Sequence, residues 1–156
     1  MNKIRNYLNP PVAALLLGLF LGALWAYALS REDLEIKNAL RKDPAANFAA
    51  ALTYIASRDG GINPKEYTII QSVVNQKYNI KDEAQQHRIQ QIIESGAISL
   101  ELPEIIRNFK KSANADIDLL INVGMILIAD NGIIRQESGA VTDIMNYAGI
   151  KADNDW

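Results

Sequence analysis

Apolar residues between Ile117 and Ile128 are spaced so that they cover most of the circumference of an α-helix. A helix with so little polar surface is expected to have other helices around it, because its apolar side chains are then kept out of water. The pattern therefore predicts that this segment is the central helix of a bundle. The apolar positions are Ile117, Leu120, Ile121, Val123, Gly124, Leu127 and Ile128.

Helical periodicity dominates the rest of the chain, and the alternation typical of strands is scarce. Asn63 with Glu66 and Asp82 with Gln85 have capping-box spacing, and Gly149 is a typical helix stop. The sequence thus predicts an all-α domain over residues 45–150, with about six helices. The expected helices are 45–58, 63–78, 82–95, 101–112, 114–129 and 134–148.

One short motif occurs twice, each time between two apolar helices. Asp59 is followed by two glycines, an isoleucine and Glu66, and Asp130 is followed by asparagine, glycine, isoleucine and Glu137 at the same spacing. The glycine before the isoleucine permits the positive φ that ends a helix, and the glutamate places negative charge on the first turn of the next. The duplication predicts two related helix-turn-helix halves.

An uncharged run, residues 12–30, precedes this domain. As a helix it would rise about 28 Å, close to the hydrocarbon thickness of a bilayer, so a single transmembrane helix is predicted within residues 1–30. The alternative is a cleaved signal peptide, because Lys3 and Arg5 precede the run and Ala26-Tyr27-Ala28 resembles a cleavage site. The run is longer than a usual signal-peptide core, which favours a retained helix in contact with the lipid bilayer.

Small residues follow one face of this predicted helix at Gly18, Gly22 and Ala26. Such a face lets a second helix approach closely, as in an integral membrane complex or a homo-oligomer, although chance gives the same pattern as often. The acidic residues directly after the run favour a domain outside the cytoplasm, whereas the count of lysines and arginines favours the reverse. Residues 31–44 are predicted to form a solvated helical stalk, and residues 151–156 a polar tail.

Composition excludes several functions. The 156 residues include 16 lysines and arginines, 18 aspartates and glutamates, one histidine and no cysteine. This near-neutral balance gives no general support for nucleic-acid binding, and the lack of cysteine excludes disulfides and thiolate chemistry. His87 lies among polar residues, with no serine or aspartate pattern of a known catalytic motif. The sequence therefore predicts neither an enzyme nor a nucleic-acid partner.

The two acidic turns resemble the second half of a calcium-binding EF-hand loop. With Glu66 as the last ligand the first ligand would be Ile55, and with Glu137 it would be Ile126, neither of which can bind a hard cation. Capping roles are favoured, and no cofactor is predicted beyond a weak divalent-metal site that forms if the two turns converge. Its candidate ligands are Asp59, Glu66, Asp130 and Glu137.

A small basic patch, Arg107, Lys110 and Lys111, flanks Phe109. A membrane surface or an acidic partner could use such a patch. A solvated helix face explains it equally simply and is favoured.

The stretches FAAALTYIASRDGGINPKEYTIIQSVV and LINVGMILIADNGIIRQESGAVTDIM resemble the paired signature of the TerB-like, or tellurite-resistance B, superfamily, over about residues 45–150. This superfamily includes the membrane-proximal domain of DjlA-type co-chaperones. The resemblance implies an all-α bundle tied to bacterial envelope stress, phage or tellurite responses, with acidic residues that bind metal. The sequence departs from the pattern at Ser57-Arg58 and Asn131, and it contains no His-Pro-Asp, so a DjlA-type chaperone-stimulating activity is not supported.

Together these features predict a non-enzymatic, membrane-anchored interaction module that serves as an accessory or scaffold subunit of a bacterial membrane or envelope complex. Its expected location is the bacterial inner membrane, as a single-pass protein with a slight preference for a periplasmic domain. The alternative is a metal-responsive stress sensor that uses the paired acidic turns. A cleaved, secreted domain is a third possibility.

Overall fold

The computed structural model describes residues 10–95, 101–112, 115–130 and 135–150, and all regular structure within them is helical. Helices α2 to α7 confirm the six predicted helices to within three residues at each end. In chain order the elements are α1 (Pro10–Lys42), α2 (Pro44–Ala56), a 3₁₀ turn (Ser57–Asp59), α3 (Pro64–Tyr78), α4 (Glu83–Glu94), α5 (Leu102–Lys111), α6 (Ile117–Asp130) and α7 (Arg135–Ala148).

The chain divides into two compact units, the first ending at Glu35 and the second beginning at Ile36. In the first unit, α1 exposes a series of large apolar side chains. Among them Trp25 is 71% exposed. On the same helix, Arg31 forms an ion pair at 3.3 Å with Glu35, one helical turn away, and both side chains are exposed. Such an exposed ion pair contributes little to stability. The other exposed apolar residues of α1 are Leu15, Leu16, Leu17, Leu19, Phe20, Leu21, Leu24, Tyr27 and Leu34.

The predicted transmembrane helix is not supported. Across the described residues, no helix is both long enough and apolar enough to cross a bilayer. Helix α1 continues beyond its apolar part through charged residues to Lys42. The predicted single-pass inner-membrane location, and contact with the lipid bilayer through a spanning helix, are therefore not supported.

Helix α2, rather than α6, is the centre of the second unit. It contacts α3, α4, α5, α6 and α7, and all of its residues are buried except Pro44 and Tyr54. The prediction of a central α6 is wrong because one side of that helix faces outward, with Met125 42% and Ile126 55% exposed. An apolar circumference shows that a helix needs neighbours, but it does not show that neighbours lie on every side.

Small side chains let five helices approach α2 closely. Six of its buried positions are alanines, each at most 1% exposed, while Phe48 and Leu52 fill the remaining space. Alanine adds no bulk beyond Cβ and favours the helical backbone, so neighbouring helices can lie close without leaving cavities. The alanines are Ala45, Ala46, Ala49, Ala50, Ala51 and Ala56.

The last turns of α1 are built into this bundle. Ile36 and Leu40 are 8% and 4% exposed, so this part of the predicted solvated stalk is buried. The side-chain amide of Asn47 donates to the Leu40 carbonyl at 2.5 Å, and that of Asn108 donates to the same carbonyl at 3.3 Å. These bonds satisfy a carbonyl that the end of a helix would otherwise leave unpaired.

The second predicted capping box is only half formed. Asp82 accepts a hydrogen bond from the Gln85 backbone N–H at 3.1 Å, which confirms the cap. The Gln85 side-chain amide does not return to Asp82 but donates to the Asp43 carboxylate at 2.9 Å. Asp43 also caps α2 by accepting from the Ala45 N–H, so one carboxylate ties α4 to the start of the central helix.

Gly124 marks the closest approach of α6 to its neighbours. A Cβ atom at this position would lie 2.7 Å from Cδ1 of Ile55 on α2 and 3.3 Å from Cγ2 of Val141 on α7. Carbon atoms do not pack at 2.7 Å, so a larger residue would displace Ile55.

We expect Gly124→Ala to be less stable than Gly139→Ala by about 1–3 kcal/mol, the usual cost of an overpacked core. Both substitutions add one methyl group to a helix and gain similar helix propensity, but no atom lies within 4 Å of the Cβ position at Gly139. Urea unfolding of both variants measures the difference. Equal stabilities would show that α6 and α2 are not in this close contact.

An aromatic cluster joins α2, α3 and α5. The Phe48 ring lies 5.9 Å from the Tyr78 ring, edge to face, and 5.6 Å from the Phe109 ring. The Tyr78 hydroxyl is buried and has no hydrogen-bond partner among the described residues. Burial, and after it the charges of Asp43 and Asp116, raise the pKa of Tyr78 to about 12.

We expect Tyr78→Phe to unfold at a similar or higher denaturant concentration at pH 7, with a gain of up to about 1 kcal/mol, because it removes a buried hydroxyl without a partner. Since the pKa of Tyr78 is higher in the folded state, its contribution to stability is intact below about pH 10 and is lost as pH rises towards 12. In unfolding curves measured from pH 8 to 12, the loss of stability at high pH should be smaller in Tyr78→Phe than in the wild type. It should be unchanged in Tyr147→Phe. A marked loss of stability in Tyr78→Phe at pH 7 would contradict the assignment.

Candidate functional site

The first copy of the repeated motif forms a tight reversal between α2 and α3. The 3₁₀ turn is followed by Gly60 at φ 120° and Gly61 at φ 159°, backbone angles that other residues rarely adopt. The positive φ predicted for Gly61 is confirmed, and Gly60 shares it. The second copy, residues 131–134, lies outside the described part of the chain, so the relation between the two halves stays a prediction.

Glu66 acts as a helix cap in this structure. Its Oε2 accepts a hydrogen bond from the Asn63 N–H at 2.8 Å, while Asn63 Oδ1 accepts from the Lys65 and Glu66 N–H groups at 2.9 and 3.0 Å. The predicted capping box is therefore confirmed. Glu66 is 0% exposed, so its carboxylate is held inside the turn.

A surface depression of about 510 Å³ lies beside the turn, where α4 ends. Burial, and after it the negative charge of Glu94, raises the pKa of Tyr67 at its edge. The sequence did not predict this depression, because the residues from α4 are distant in the chain from the turn and carry no motif. It is lined by Ser57, Gly60, Gly61, Ile62, Tyr67, Ile93, Glu94 and Ser95.

The predicted metal site is neither assembled nor excluded by the described residues. Of its four candidate ligands only Glu66 has a described side chain, and that carboxylate binds a backbone N–H of its own turn. The side chains of Asp59, Asp130 and Glu137 lie outside the described residues. No group of three histidine, aspartate or glutamate side chains that could hold a metal is present in the part of the chain that is described.

The predicted packing face of the N-terminal helix has no neighbour in the structure. No described atom outside the helix backbone lies within 4 Å of the Cβ positions of Gly18 and Gly22, and Ala26 is exposed. Because the described residues contain no helix that could span a membrane, the predicted partnership with an integral membrane complex or a homo-oligomer through such a helix is not supported. His87 is exposed.

A second surface, formed by α5 and α7, collects positive charge. We call it the α5–α7 surface. It is an open depression of about 410 Å³, and the residues that line it are Pro103, Arg107, Lys110, Lys111 and Tyr147. The three cations are those predicted from the sequence, and Tyr147 brings an aromatic ring that is 52% exposed.

Phe109, the aromatic residue predicted to belong to this basic patch, points the other way. It is fully buried, together with the other apolar residues of α5, Leu102, Ile105 and Ile106. Packing of this apolar face turns Arg107 and Lys111 outward, because residues four apart lie on the same side of a helix. Tyr147 was missed because it comes from a different helix and follows no pattern around α5.

The charges of this surface differ in how they are used. Lys110 donates to the Ala148 carbonyl at 2.6 Å and so caps the end of α7. Arg107 and Lys111 form no ion pair or hydrogen bond with any described residue. For comparison, Lys77 on α3 is paired with Asp116 at 3.3 Å. Two cations of the α5–α7 surface are thus available to a ligand.

The helical bundle, with the turn between α2 and α3 at which Glu66 caps a helix, defines a small all-α domain. A family model described as "Tellurite resistance protein TerB" matches residues 45–154, well over half of the chain. The chain therefore belongs to the TerB family, as its resemblance predicted. No curated protein and no solved structure matches the chain.

We expect Glu66→Gln to cost about 0.3–1 kcal/mol of stability, because glutamine keeps the cap but loses the negative charge at the start of α3. If capping is the role of Glu66, this loss is the same in chelator and in millimolar calcium or magnesium. Thermal unfolding of the full chain in both conditions tests this. A midpoint that rises with metal in the wild type, and not in Glu66→Gln, would instead support the metal site.

Proposed function

We propose that this TerB-family chain is a non-enzymatic interaction module, an accessory component that binds another protein through the α5–α7 surface. The observation that carries the proposal is a pair of unpaired cations, Arg107 and Lys111, beside the exposed ring of Tyr147. Exposed aromatic and arginine residues are the types most enriched where proteins bind one another.

Several other charged groups stabilise the fold. Asp43 and Asp82 cap helices, Glu66 closes a capping box, and Lys77 pairs with Asp116. Arg107 and Lys111 have no such task among the described residues. A partner that supplied carboxylates would therefore gain electrostatic attraction without breaking a contact of the folded chain.

Family membership supports a role without catalysis, since TerB-family domains are generally non-catalytic. The chemistry at the turn agrees with this proposal, because the buried carboxylate of Glu66 already accepts a backbone hydrogen bond. A general acid or base must instead reach a substrate proton within hydrogen-bond distance.

We expect Arg107→Glu combined with Lys111→Glu to abolish association with the partner protein while keeping the helical content and costing no more than about 1 kcal/mol of stability, since Lys111 lies in the last turn of α5. Both side chains are exposed and unpaired among the described residues. Reversing their charge therefore changes the electrostatic potential of the binding surface and leaves the packing of the core as it is. The measurement is quantitative mass spectrometry of proteins crosslinked to the tagged full chain in its native cells, wild type against variant.

The matched control is Lys42→Glu with Lys81→Glu, which changes the net charge equally at two exposed positions away from the surface. Proteins lost with the first variant and retained with the second would be those bound by the α5–α7 surface. Identical crosslinked proteins in the wild type and both variants would rule out binding through this surface.

A further inference from the structure

We propose that the α5–α7 surface recognises an acidic, extended peptide segment that carries an apolar side chain beside its carboxylates. The inference rests on the interaction function proposed above and names the chemistry of the partner. Three cations, a proline and a half-exposed tyrosine line this surface, and no carboxylate of the described residues does.

Charge complementarity identifies the acidic part of the ligand. Arg107 and Lys111 are one helical turn apart, with Cβ atoms about 5–6 Å from each other. In an extended peptide, side chains two residues apart point the same way and lie about 6.6–6.8 Å apart. Two glutamates at such positions can therefore reach Arg107 and Lys111 together.

Lys110 is a fixed cation between these two. Its ammonium group donates to the Ala148 carbonyl, which holds it in place at the end of α7. An ammonium group has three donors, so two remain for a ligand. Because the side chain is already positioned, a carboxylate that binds it loses less side-chain entropy than it would on a free lysine.

The apolar part of the ligand follows from Pro103 and Tyr147. A proline and an aromatic ring provide rigid contact area, because neither has many rotamers to lose on binding. Tyr147 is 52% exposed, so much of its ring can still be covered.

Among the described residues, no acidic side chain lines this surface. Glu104 and Asp143 lie on the same two helices, one turn before Arg107 and Tyr147 respectively, but neither lines the cavity. They restrict how far an acidic ligand extends along each helix. The segment that fits is therefore short, with its carboxylates over the C-terminal half of α5.

The test is fluorescence anisotropy with the full chain and an eight-residue peptide that alternates glutamate and leucine. We expect a dissociation constant on the order of 100 µM, and at least about tenfold weaker binding of the same peptide with glutamine in place of glutamate. Raising the salt concentration from 50 to 300 mM should weaken binding of the glutamate peptide, because exposed charges are screened.

Two double variants distinguish binding to this surface from a general effect of the net charge of the chain. Arg107→Gln with Lys111→Gln should weaken peptide binding about tenfold or more, whereas Lys42→Gln with Lys81→Gln, an equal charge change elsewhere, should stay within about twofold. Tyr147→Ala should weaken binding several-fold, and Tyr147→Phe should restore most of it, since the ring rather than the hydroxyl makes the contact.

Four results would overturn the inference. Equal losses in the two double variants would mean unspecific attraction, and equal binding of the glutamine peptide would mean that carboxylates are not recognised. Displacement of the peptide by inorganic phosphate at equal concentration, or binding to phosphatidylglycerol vesicles without binding to the peptide, would assign the surface to another anion. If the peptide fails while the Arg107 and Lys111 reversal still removes crosslinked proteins, only the partner chemistry is wrong and the interaction function stands.

Discussion

The second unit depends on the close packing of five helices around α2. The alanines of α2 occupy positions where larger side chains would push the neighbouring helices away. Gly124 has the same role on α6, because its lack of a side chain leaves room for Ile55. Buried contact of this kind supplies most of the stability of a small domain, because helices of this length are marginal alone in water. Some of the polar groups that remain inside are hydrogen-bonded at helix ends, as the Asn47 side-chain amide is to the Leu40 carbonyl.

This packing also determines which charged side chains take part in caps and ion pairs and which remain exposed. Caps and ion pairs hold the helix ends in place, so Asp43, Glu66 and Asp82 have structural tasks. Helix α5 buries one apolar face against α2 and turns its basic face outward, where α7 adds Tyr147. The surface proposed to bind a partner thus exists because α5 packs its apolar face into the core and leaves its basic face exposed. Lys110 holds α7 beside α5 by donating to the Ala148 carbonyl.

Local features of the fold could be predicted from the sequence, and non-local ones could not. The helix ranges were right because caps such as Asn63 and Asp82 act within one turn. The choice of α6 as the central helix was wrong because apolar spacing does not reveal which helix packs in the middle, and the alanine-rich α2 has a weaker apolar signal. The bond from Gln85 to Asp43 and the approach of Tyr147 to α5 join residues far apart in the chain. The transmembrane prediction relied on the uncharged run of residues 12–30, whereas no helix of the described residues is long and apolar enough to cross a membrane.

The central claim is that ligands meet this chain at the α5–α7 surface rather than at the turn that carries the family motif. Nuclear magnetic resonance titration of the isotope-labelled full chain with the glutamate–leucine peptide tests it most directly. We predict amide shift changes concentrated at Arg107, Lys110, Lys111 and Tyr147. Changes centred instead on Gly60, Gly61 and Tyr67, beside the depression at the turn, would contradict the account.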